Sequence, residues 1–292
     1  MASRGLYLGS MIFSRFFPAA VVFFIFLGTP EAAEKIQVFL LSGQSNMSGG
    51  GKLDGPLEAV DAVDGKVRIW DGCAYWAKKN AYPKKWVSLT EVQELKKKLG
   101  RNWIGPEFGF SREIAKDISA EKIYLIKVAC GGTAIDWWLP KDKDVADRYQ
   151  WHSRLVSNID EALKAIPGEY EIAGMLWMQG ETDTMRKNMA ESYQKNLEEL
   201  ISIMRTKFKE PQLPVVVGRI TSQLLKSKKY QWPFTTTVQA AQDAVAKKDG
   251  KVEVVNSDDL SLRTDFTHFD VPGQMKLGER FGVAMRKVLK GE

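Results

Sequence analysis

Histidine and cysteine are scarce in this sequence, which limits the chemistry open to it. The 292 residues contain two histidines, His152 and His268, and two cysteines, Cys73 and Cys130. Two cysteines are too few for a disulfide scaffold, and no His and Cys ligands cluster at zinc spacing, so we expect no metal and no other cofactor. The two cysteines could pair in an oxidising compartment, although Cys130 ends an apolar run and is more typical of a small buried residue.

The sequence also lacks basic runs with interleaved aromatic residues. Its net charge is +6, but the lysines are scattered among aspartates and glutamates. This pattern argues against nucleic acid as a partner. A composition of 44% hydrophobic and 27% charged residues is that of an ordinary soluble globular protein. No internal repeat or low-complexity linker interrupts the chain.

Long hydrophobic runs are absent, except for a short one near the N-terminus. Two arginines precede the apolar stretch Phe16–Gly28, which is too short to span a bilayer comfortably, and Ala32-Ala33 follows. This order predicts a secretory signal peptide over residues 1–33 and a secreted or periplasmic protein with no membrane partner beyond the export machinery. An uncleaved membrane anchor is the alternative, because Glu31 stands where a small residue is preferred before the cleavage site.

From Ile36 onwards, strand-like apolar runs alternate with helical patterns, which is typical of βαβ units and a parallel sheet. We expect strands at Ile36–Leu41, Val67–Trp70, Ile123–Ala129, Ile172–Met178, Val215–Ile220 and Val252–Asn256. We expect helices at Glu107–Ile118, Ser153–Ala165, Met189–Phe208, Thr236–Lys247 and Gln274–Leu289. Residues 34–292 are therefore predicted to form one α/β domain, a three-layer α/β/α sandwich with a central, mainly parallel sheet.

The section Asp71–Gly105 is too long and too irregular for a plain connection between a strand and a helix. It is rich in lysines and in aromatic residues, namely Tyr75, Trp76, Tyr82, Trp86 and Trp103. Long loops at the carboxyl edge of such a sheet usually form the rim of the site. These aromatic side chains could stack on sugar rings or form a satellite core under the loop, and we slightly favour the core.

The stretch Val38–Met47 contains the first candidate site residue, Ser45. Its apolar run ends in Gly43-Gln44-Ser45, which predicts a buried parallel strand followed by a sharp turn. Ser45 would then lie at the carboxyl edge of the sheet, where open α/β folds bind their ligands. Gly43 gives the turn the backbone freedom that a nucleophile position needs, although Met47 replaces the second glycine of a G-x-S-x-G elbow. The alternative is an ordinary turn after a strand.

Two later strand ends carry groups able to donate hydrogen bonds. The pair Gly131-Gly132 can bring a backbone N–H close to a ligand, as an acyl-transfer enzyme requires for its oxyanion, although glycine pairs also form ordinary tight turns. Gln179 follows the predicted strand at 172–178 and carries a side-chain amide. We expect Glu181, two residues later, to be a buried carboxylate that accepts backbone N–H bonds and orders the loop.

A serine hydroxyl is a poor nucleophile until an imidazole accepts its proton. Asp265 precedes His268 by three residues and can bond the Nδ1–H of the imidazole from the same turn. The alternative is a solvated His–Asp pair on a surface loop. His152 follows a charged loop and precedes a helix, so we interpret it as a surface or capping residue without a catalytic role.

Four of these segments, taken in order, resemble the blocks of the SGNH-hydrolase superfamily, in the branch of sialate O-acetylesterases and acetyl xylan esterases of carbohydrate esterase family six. They are Gly43-Gln44-Ser45-Asn46-Met47, Gly131-Gly132-Thr133-Ala134-Ile135, Gln179-Gly180-Glu181 and Asp265-Phe266-Thr267-His268. Met178 departs from the branch, which often has histidine or tyrosine before the glutamine.

The resemblance implies that Ser45 is the nucleophile, His268 its base and Asp265 the partner of the imidazole. It further implies that the N–H groups of Ser45 and Gly132, the latter preferred over Gly131, and the amide of Gln179 form the oxyanion hole. The implied function is a serine esterase that removes O-acetyl groups from xylan-type polysaccharide or a related glycan through an acetyl-enzyme. The alternatives are a sialate O-acetylesterase and a non-catalytic carbohydrate-binding relative.

Overall fold

A seven-stranded sheet forms the centre of the structure, a computed structural model that describes Met1 and residues 35–53, 63, 65–72, 84–142, 146, 149–228 and 230–292. Its strands are β1 (Ile36–Gly43), β3 (Arg68–Asp71), β4 (Val87–Ser88), β6 (Ile123–Ala129), β7 (Tyr170–Met178), β8 (Val215–Gly218) and β9 (Val252–Val255). They lie in the order β4-β3-β6-β1-β7-β8-β9, and all pairs are parallel except β3 with β4. A separate antiparallel pair joins β2 (Gly51–Lys52) to β5 (Trp103–Ile104).

Both faces of the sheet are buried, as the apolar character of β1 requires. Val38 and Leu40 belong to one hydrophobic cluster, whereas Phe39 and Leu41 belong to the other. This alternation follows from the two-residue period of a strand, and it explains why β1 has no polar face.

Helices cover the two faces of the sheet. The helices α4 (Trp151–Lys164), α5 (Lys187–Phe208) and α6 (Thr235–Lys248) pack on the side of Val38, and α2 (Leu89–Lys98), α3 (Glu107–Ile114) and α7 (Val271–Lys290) pack on the side of Phe39. The structure therefore confirms the three-layer α/β/α prediction. All these elements belong to one unit, Glu34–Glu292.

The six predicted strands and five predicted helices are all present; the strand at Ile123–Ala129 has the predicted bounds, and the others differ at one end or both. Helix α7 begins at Val271, three residues earlier than predicted, because Asp270 caps it by accepting a hydrogen bond from Gly273 N. Strand β4 and helix α2 lie in the section that was predicted to be irregular. Ser88 and Glu91 form a capping box at the start of α2, a sequence signal that would have revealed this helix.

For Trp86, the structure distinguishes between the two alternatives, a sugar-stacking residue and part of a satellite core. Its ring contacts Trp70 and Tyr124 edge-on, with centroids 5.9 and 4.7 Å apart, and its Nε1 donates a hydrogen bond to Ala162 O. Trp86 thus extends the core rather than lining a sugar site. The predictions for Tyr75, Trp76, Tyr82 and Cys73 lie outside the described residues, as does nearly all of the predicted signal peptide.

The described helices contain none that is both long enough and apolar enough to cross a membrane.

The sheet brings the carboxyl ends of β6, β1 and β7 side by side, because β1 pairs with both of the others. The predicted site segments at 43–47, 131–135 and 179–181 directly follow these three strands, so they meet at one edge of the sheet.

Candidate active site

The turn after β1 presents Ser45 to solvent. Gly43 has φ +146°, and a Cβ there would collide with the backbone carbonyl of Met178, so both conformation and space require glycine. Gln44 N donates to Met178 O at 2.9 Å, which ties the turn to β7. Ser45 then begins the four-residue helix α1 (Ser45–Ser48) and is partly exposed, whereas its neighbours Gln44 and Asn46 are buried.

Asn46 connects this turn to two distant segments. Its Nδ2 donates to Glu181 Oε1 at 2.7 Å and to Thr267 O at 2.9 Å, and its Oδ1 accepts from Phe269 N at 3.1 Å. Thr267 and Phe269 flank His268 in the chain. The residue that follows Ser45 therefore holds the backbone on both sides of the histidine.

Asp265 and His268 form the predicted pair. His268 Nδ1 lies 2.9 Å from Asp265 Oδ2, while Asp265 Oδ1 accepts the backbone N–H groups of Thr267 and His268, each at 2.9 Å. Phe266 adopts φ +54°, which closes the turn around this carboxylate. Burial opposes ionisation of Asp265, but these hydrogen bonds outweigh it and lower its pKa. An ionised Asp265 fixes the imidazole with its proton on Nδ1 and leaves Nε2 as the basic nitrogen.

The loop after α1 also packs against the histidine. A Cβ at Gly50 would lie 3.2 Å from the Cβ of His268. No hydrogen bond between Ser45 Oγ and His268 Nε2 is present among the described residues. Such bonds are often long without substrate and tighten in the reacting complex.

The backbone N–H groups of Ser45 and Gly132 have no acceptor in the described part of the chain. Gly132 is exposed, has φ +73° and has open space where a Cβ would lie. Because it follows β6 and Ser45 follows β1, both groups lie at the same edge of the sheet. They can donate to an oxygen that carries developing negative charge.

The side-chain amide of Gln179 is bound by protein groups in the structure. It is fully buried, and its Nε2 donates to Thr133 O at 2.9 Å and to Asp183 Oδ2 at 2.5 Å. The two hydrogens of the amide thus already have protein acceptors, and neither is left over for an oxyanion in this arrangement. In the structure the amide instead holds the turn that contains Gly132.

Two carboxylates are buried behind these loops. Burial raises the pKa of Glu181. Hydrogen bonds from its own backbone N–H and from Asn46 lower this pKa, but the effect of burial is larger. Burial also raises the pKa of Asp183, to about 7, although Gln179 Nε2 and Ile135 N donate to it. We predicted that Glu181 is a buried carboxylate that orders its loop. In the structure Glu181 is buried, and its carboxylate accepts a hydrogen bond from the side chain of Asn46. Asp183 was not singled out from the sequence.

A second set of buried charges, also missed from the sequence, supports α1 from below. Lys127 Nζ donates to Ser48 O, in the last residue of α1, at 3.0 Å and to Glu107 Oε2 at 2.7 Å. Lys96 Nζ lies 3.4 Å from Glu107 Oε1 and 3.2 Å from Asp71 Oδ2. The signal in the sequence is a lysine inside the otherwise apolar strand β6, since a buried charge needs partners.

The other candidate residues stand apart from this constellation. His152 lies in the first turn of α4 and pairs with no carboxylate in the described residues, and burial lowers its pKa. Burial raises the pKa of the Cys130 thiol to about 11, so it remains protonated. Where the chain is described, no three His, Cys, Asp or Glu side chains are grouped as a metal site requires.

Sequence comparison gives the family of this chain. The model of the family described as carbohydrate esterase, sialic acid-specific acetylesterase matches residues 35–287. A probable carbohydrate esterase of Arabidopsis thaliana is 27% identical over 252 residues, which are 83% of this chain and 87% of that protein.

Solved structures show the same fold. A crystal structure from Arabidopsis thaliana superposes with a TM-score of 0.67 at 25% identity, over 87% of this chain and 99% of that one. A carbohydrate acetylesterase from Xanthomonas citri superposes with a TM-score of 0.64 at 20% identity, over 88% of this chain and 57% of that one. NanS superposes with a TM-score of 0.63 at 16% identity, over 88% of this chain and 98% of that one. From the family match across residues 35–287, which includes all four segments of the site, the chain belongs to the carbohydrate esterase, sialic acid-specific acetylesterase family.

Proposed function

We propose that this protein is a serine esterase that removes O-acetyl groups from carbohydrate through an acetyl-enzyme intermediate. The observation that carries the proposal is the position of Asn46. Its three hydrogen bonds bring the turn of Ser45 and the loop of His268 together, although more than 220 residues of chain separate them. The paired Asp265 and the unpaired N–H groups of Ser45 and Gly132 supply the other parts that acyl transfer needs.

In the proposed mechanism, His268 Nε2 accepts the proton of Ser45 as Oγ attacks the ester carbonyl. The ionised Asp265 stabilises the imidazolium that forms. The N–H groups of Ser45 and Gly132 donate to the carbonyl oxygen as it becomes negative. The imidazolium then protonates the departing sugar oxygen, which leaves an acetyl-serine. Water attacks the acetyl-serine with His268 again as the base, so acetate leaves and Ser45 recovers its proton.

Gln179 supports the hole from behind in this proposal. By holding Thr133 O, the amide fixes the turn in which Gly132 faces outwards. Direct donation to the oxyanion, as the resemblance implies, would require the amide to exchange one of its two hydrogen bonds for the substrate oxygen. Of the two acceptors of the Gln179 amide, Asp183 is the one whose hydrogen bond protonation would weaken, because its pKa is raised to about 7.

Acetylated xylan-type polysaccharide and O-acetylated sialic acid are the two substrates to compare. The family description names sialic acid-specific acetylesterases, and the Xanthomonas citri relative is described as a carbohydrate acetylesterase. The predicted export signal at residues 1–33 fits an extracellular glycan of either kind. We therefore propose secretion or a periplasmic location together with the activity.

The deciding experiment measures acetate release from acetylated xylan and from O-acetylated sialic acid, with a generic acetyl ester as a third substrate. Ser45→Ala should abolish release and leave the melting temperature unchanged, because it removes one partly exposed hydroxyl. Ser42→Ala is the matched control. It lies in β1, three residues before Ser45, its buried Oγ has no hydrogen-bond partner among the described residues, and the variant should retain full activity.

Retained turnover in a folded Ser45→Ala variant would refute the nucleophile. No release from any of the three esters by the wild-type protein would instead favour a carbohydrate-binding relative without catalysis. Binding of the acetylated glycans by that inactive protein would then be the measurement to make.

A further inference from the structure

A fully buried lysine interrupts the apolar strand β6. Lys127 follows Leu125 at the two-residue spacing that places both side chains on the same face of the sheet. Leu125 belongs to the hydrophobic cluster on the side of Phe39, so Lys127 occupies a position where an apolar side chain is expected. Burying an ammonium group costs free energy that its partners must offset.

Two carboxylates and a second lysine surround Lys127 and balance its charge. Lys127 Nζ lies 2.7 Å from Glu107 Oε2, whereas Lys96 Nζ lies 3.4 Å from Glu107 Oε1 and 3.2 Å from Asp71 Oδ2. All four side chains are buried. Apolar residues of similar volume can often replace buried ion pairs without loss of stability. Stability alone therefore does not account for a lysine at this position.

A further contact of Lys127 leads to the candidate active site. Its Nζ donates to Ser48 O at 3.0 Å, and Ser48 is the last residue of α1, the short helix that begins with Ser45. In the same turn, Gly49 N donates to Ser45 O at 2.9 Å. The ammonium group thus holds the helical turn that carries the proposed nucleophile.

The chain continues from this turn directly to the histidine. A Cβ at Gly50 would lie 3.2 Å from the Cβ of His268. Gly105 lies between the buried charges and the turn, since a Cβ there would lie 2.9 Å from Lys127 Nζ and 3.1 Å from Gly49 Cα. The chain between the nucleophile and its contact with the histidine is therefore closely packed, and Lys127 holds it at the midpoint.

We propose that Lys127 is a positioning residue for acyl transfer, whose bond to Ser48 O fixes the turn of Ser45 in the arrangement with His268 that proton transfer requires. The inference rests on the proposed esterase function and gives a buried charge a part in that reaction that is separate from stability. Because a displacement of about 1 Å can cost a hundredfold in rate, loss of this bond should lower kcat about tenfold to a hundredfold. KM should change little, since Lys127 is buried and does not face the substrate.

The test compares two variants that remove the same charge from the same cluster. Lys127→Met and Lys96→Met each replace a buried lysine by an unbranched apolar side chain, and each leaves one carboxylate in excess. Both should therefore lower the melting temperature, by about 6–20 °C. Only Lys127→Met also removes the donor to Ser48 O, so only this variant should lower kcat for 4-nitrophenyl acetate tenfold or more.

A charge-balanced variant separates positioning from stability. Lys127→Met combined with Glu107→Gln leaves Lys96 and Asp71 as one positive and one negative charge. It should regain most of the lost melting temperature, while kcat remains low. Hydrogen exchange of the segment 44–50, measured by mass spectrometry, should be faster in both variants that lack Lys127 than in Lys96→Met and wild type.

Recovery of wild-type kcat in the charge-balanced variant, or an equal loss of kcat in Lys96→Met, would overturn the inference and leave the esterase proposal standing. Absence of ester hydrolysis by the wild-type protein would instead count against the esterase. Hydrogen exchange would then still decide on Lys127, because an unchanged rate at 44–50 would contradict its role in holding this turn.

Discussion

Asn46 offers the sharpest test of how the site is held together, because removing its amide separates two loops without touching the reacting groups. Asn46→Ala leaves the Glu181 carboxylate, Thr267 O and Phe269 N buried without this partner. A hydrogen bond to a charged group is worth about 1.5–3 kcal/mol and one between neutral groups about 0.5–1.5 kcal/mol. The three together predict a loss of about 2.5–6 kcal/mol in the free energy of unfolding.

That loss is a large share of a typical stability of about 5–15 kcal/mol, so activity is compared at a temperature at which the variant is folded. At about 2–4 °C per kcal/mol for a domain of this size, the melting temperature should fall by about 5–24 °C. The loop of His268 should also move relative to Ser45. Because a displacement of about 1 Å can cost a hundredfold in rate, we expect kcat to fall about a hundredfold at a temperature well below the new melting point.

The control must destabilise the protein at a place far from the site. Arg205 near the end of α5 donates to Asp249 and to Leu213 O, and α5 leads into the start of β8, so this contact lies at the opposite edge of the sheet. Arg205→Ala should lower the melting temperature and preserve kcat. If Asn46→Ala keeps wild-type kcat in acetate-release assays while its melting temperature falls, Asn46 stabilises the fold without positioning the histidine.

Two further predictions concern the loop after β7. Gln179→Ala should lower kcat about a hundredfold or more in the same assay, because it removes the bond that holds Thr133 O and any donor to the oxyanion, and unchanged kcat would exclude Gln179 from both roles. Asp183 keeps its proton in the folded state up to about pH 7 but loses it near 3.8 when unfolded. The free energy of unfolding should therefore fall by up to about 4 kcal/mol as pH rises between those values. Melting curves of Asp183→Asn across this range should be flatter than those of wild type, and parallel curves would contradict the raised pKa.

The sheet and its helices were predictable because their signals are local. An apolar run such as Ile123–Ala129 already specifies a buried strand, and its bounds in the structure are those of the prediction. The order of strands in the sheet is not local, since β1 pairs with β6 and β7, which lie far along the chain. The general rule that such sheets bind ligands at their carboxyl edge, together with the resemblance to the four SGNH-hydrolase blocks, placed the segments together in advance.

The polar contacts of the site were less predictable, and the reason is physical. Whether the amide of Gln179 faces a substrate or Thr133 O depends on which acceptor lies nearest after folding, and the residues alone do not determine this. The buried position of Asp183 likewise comes from the loop that follows β6. By contrast, Asp265 and His268 are three residues apart and bond within one turn, so their pairing could be inferred from the sequence.

The loops that carry the reacting groups are short, and buried polar contacts hold them in place. Asn46 with Glu181, Gln179 with Asp183 and Lys127 with Glu107 lie behind the segments that follow β1, β7 and β6.

Each of these pairs includes a buried ionisable group, which costs free energy unless its partner is correctly placed. When a partner moves, the buried ionisable group is left unpaired. Displacing these loops therefore costs more free energy than displacing loops that are held by apolar contacts alone. The fold thus gives up some stability to hold Ser45, Gly132 and His268 in one arrangement, and variants of the buried partners should therefore lose activity before they lose the fold.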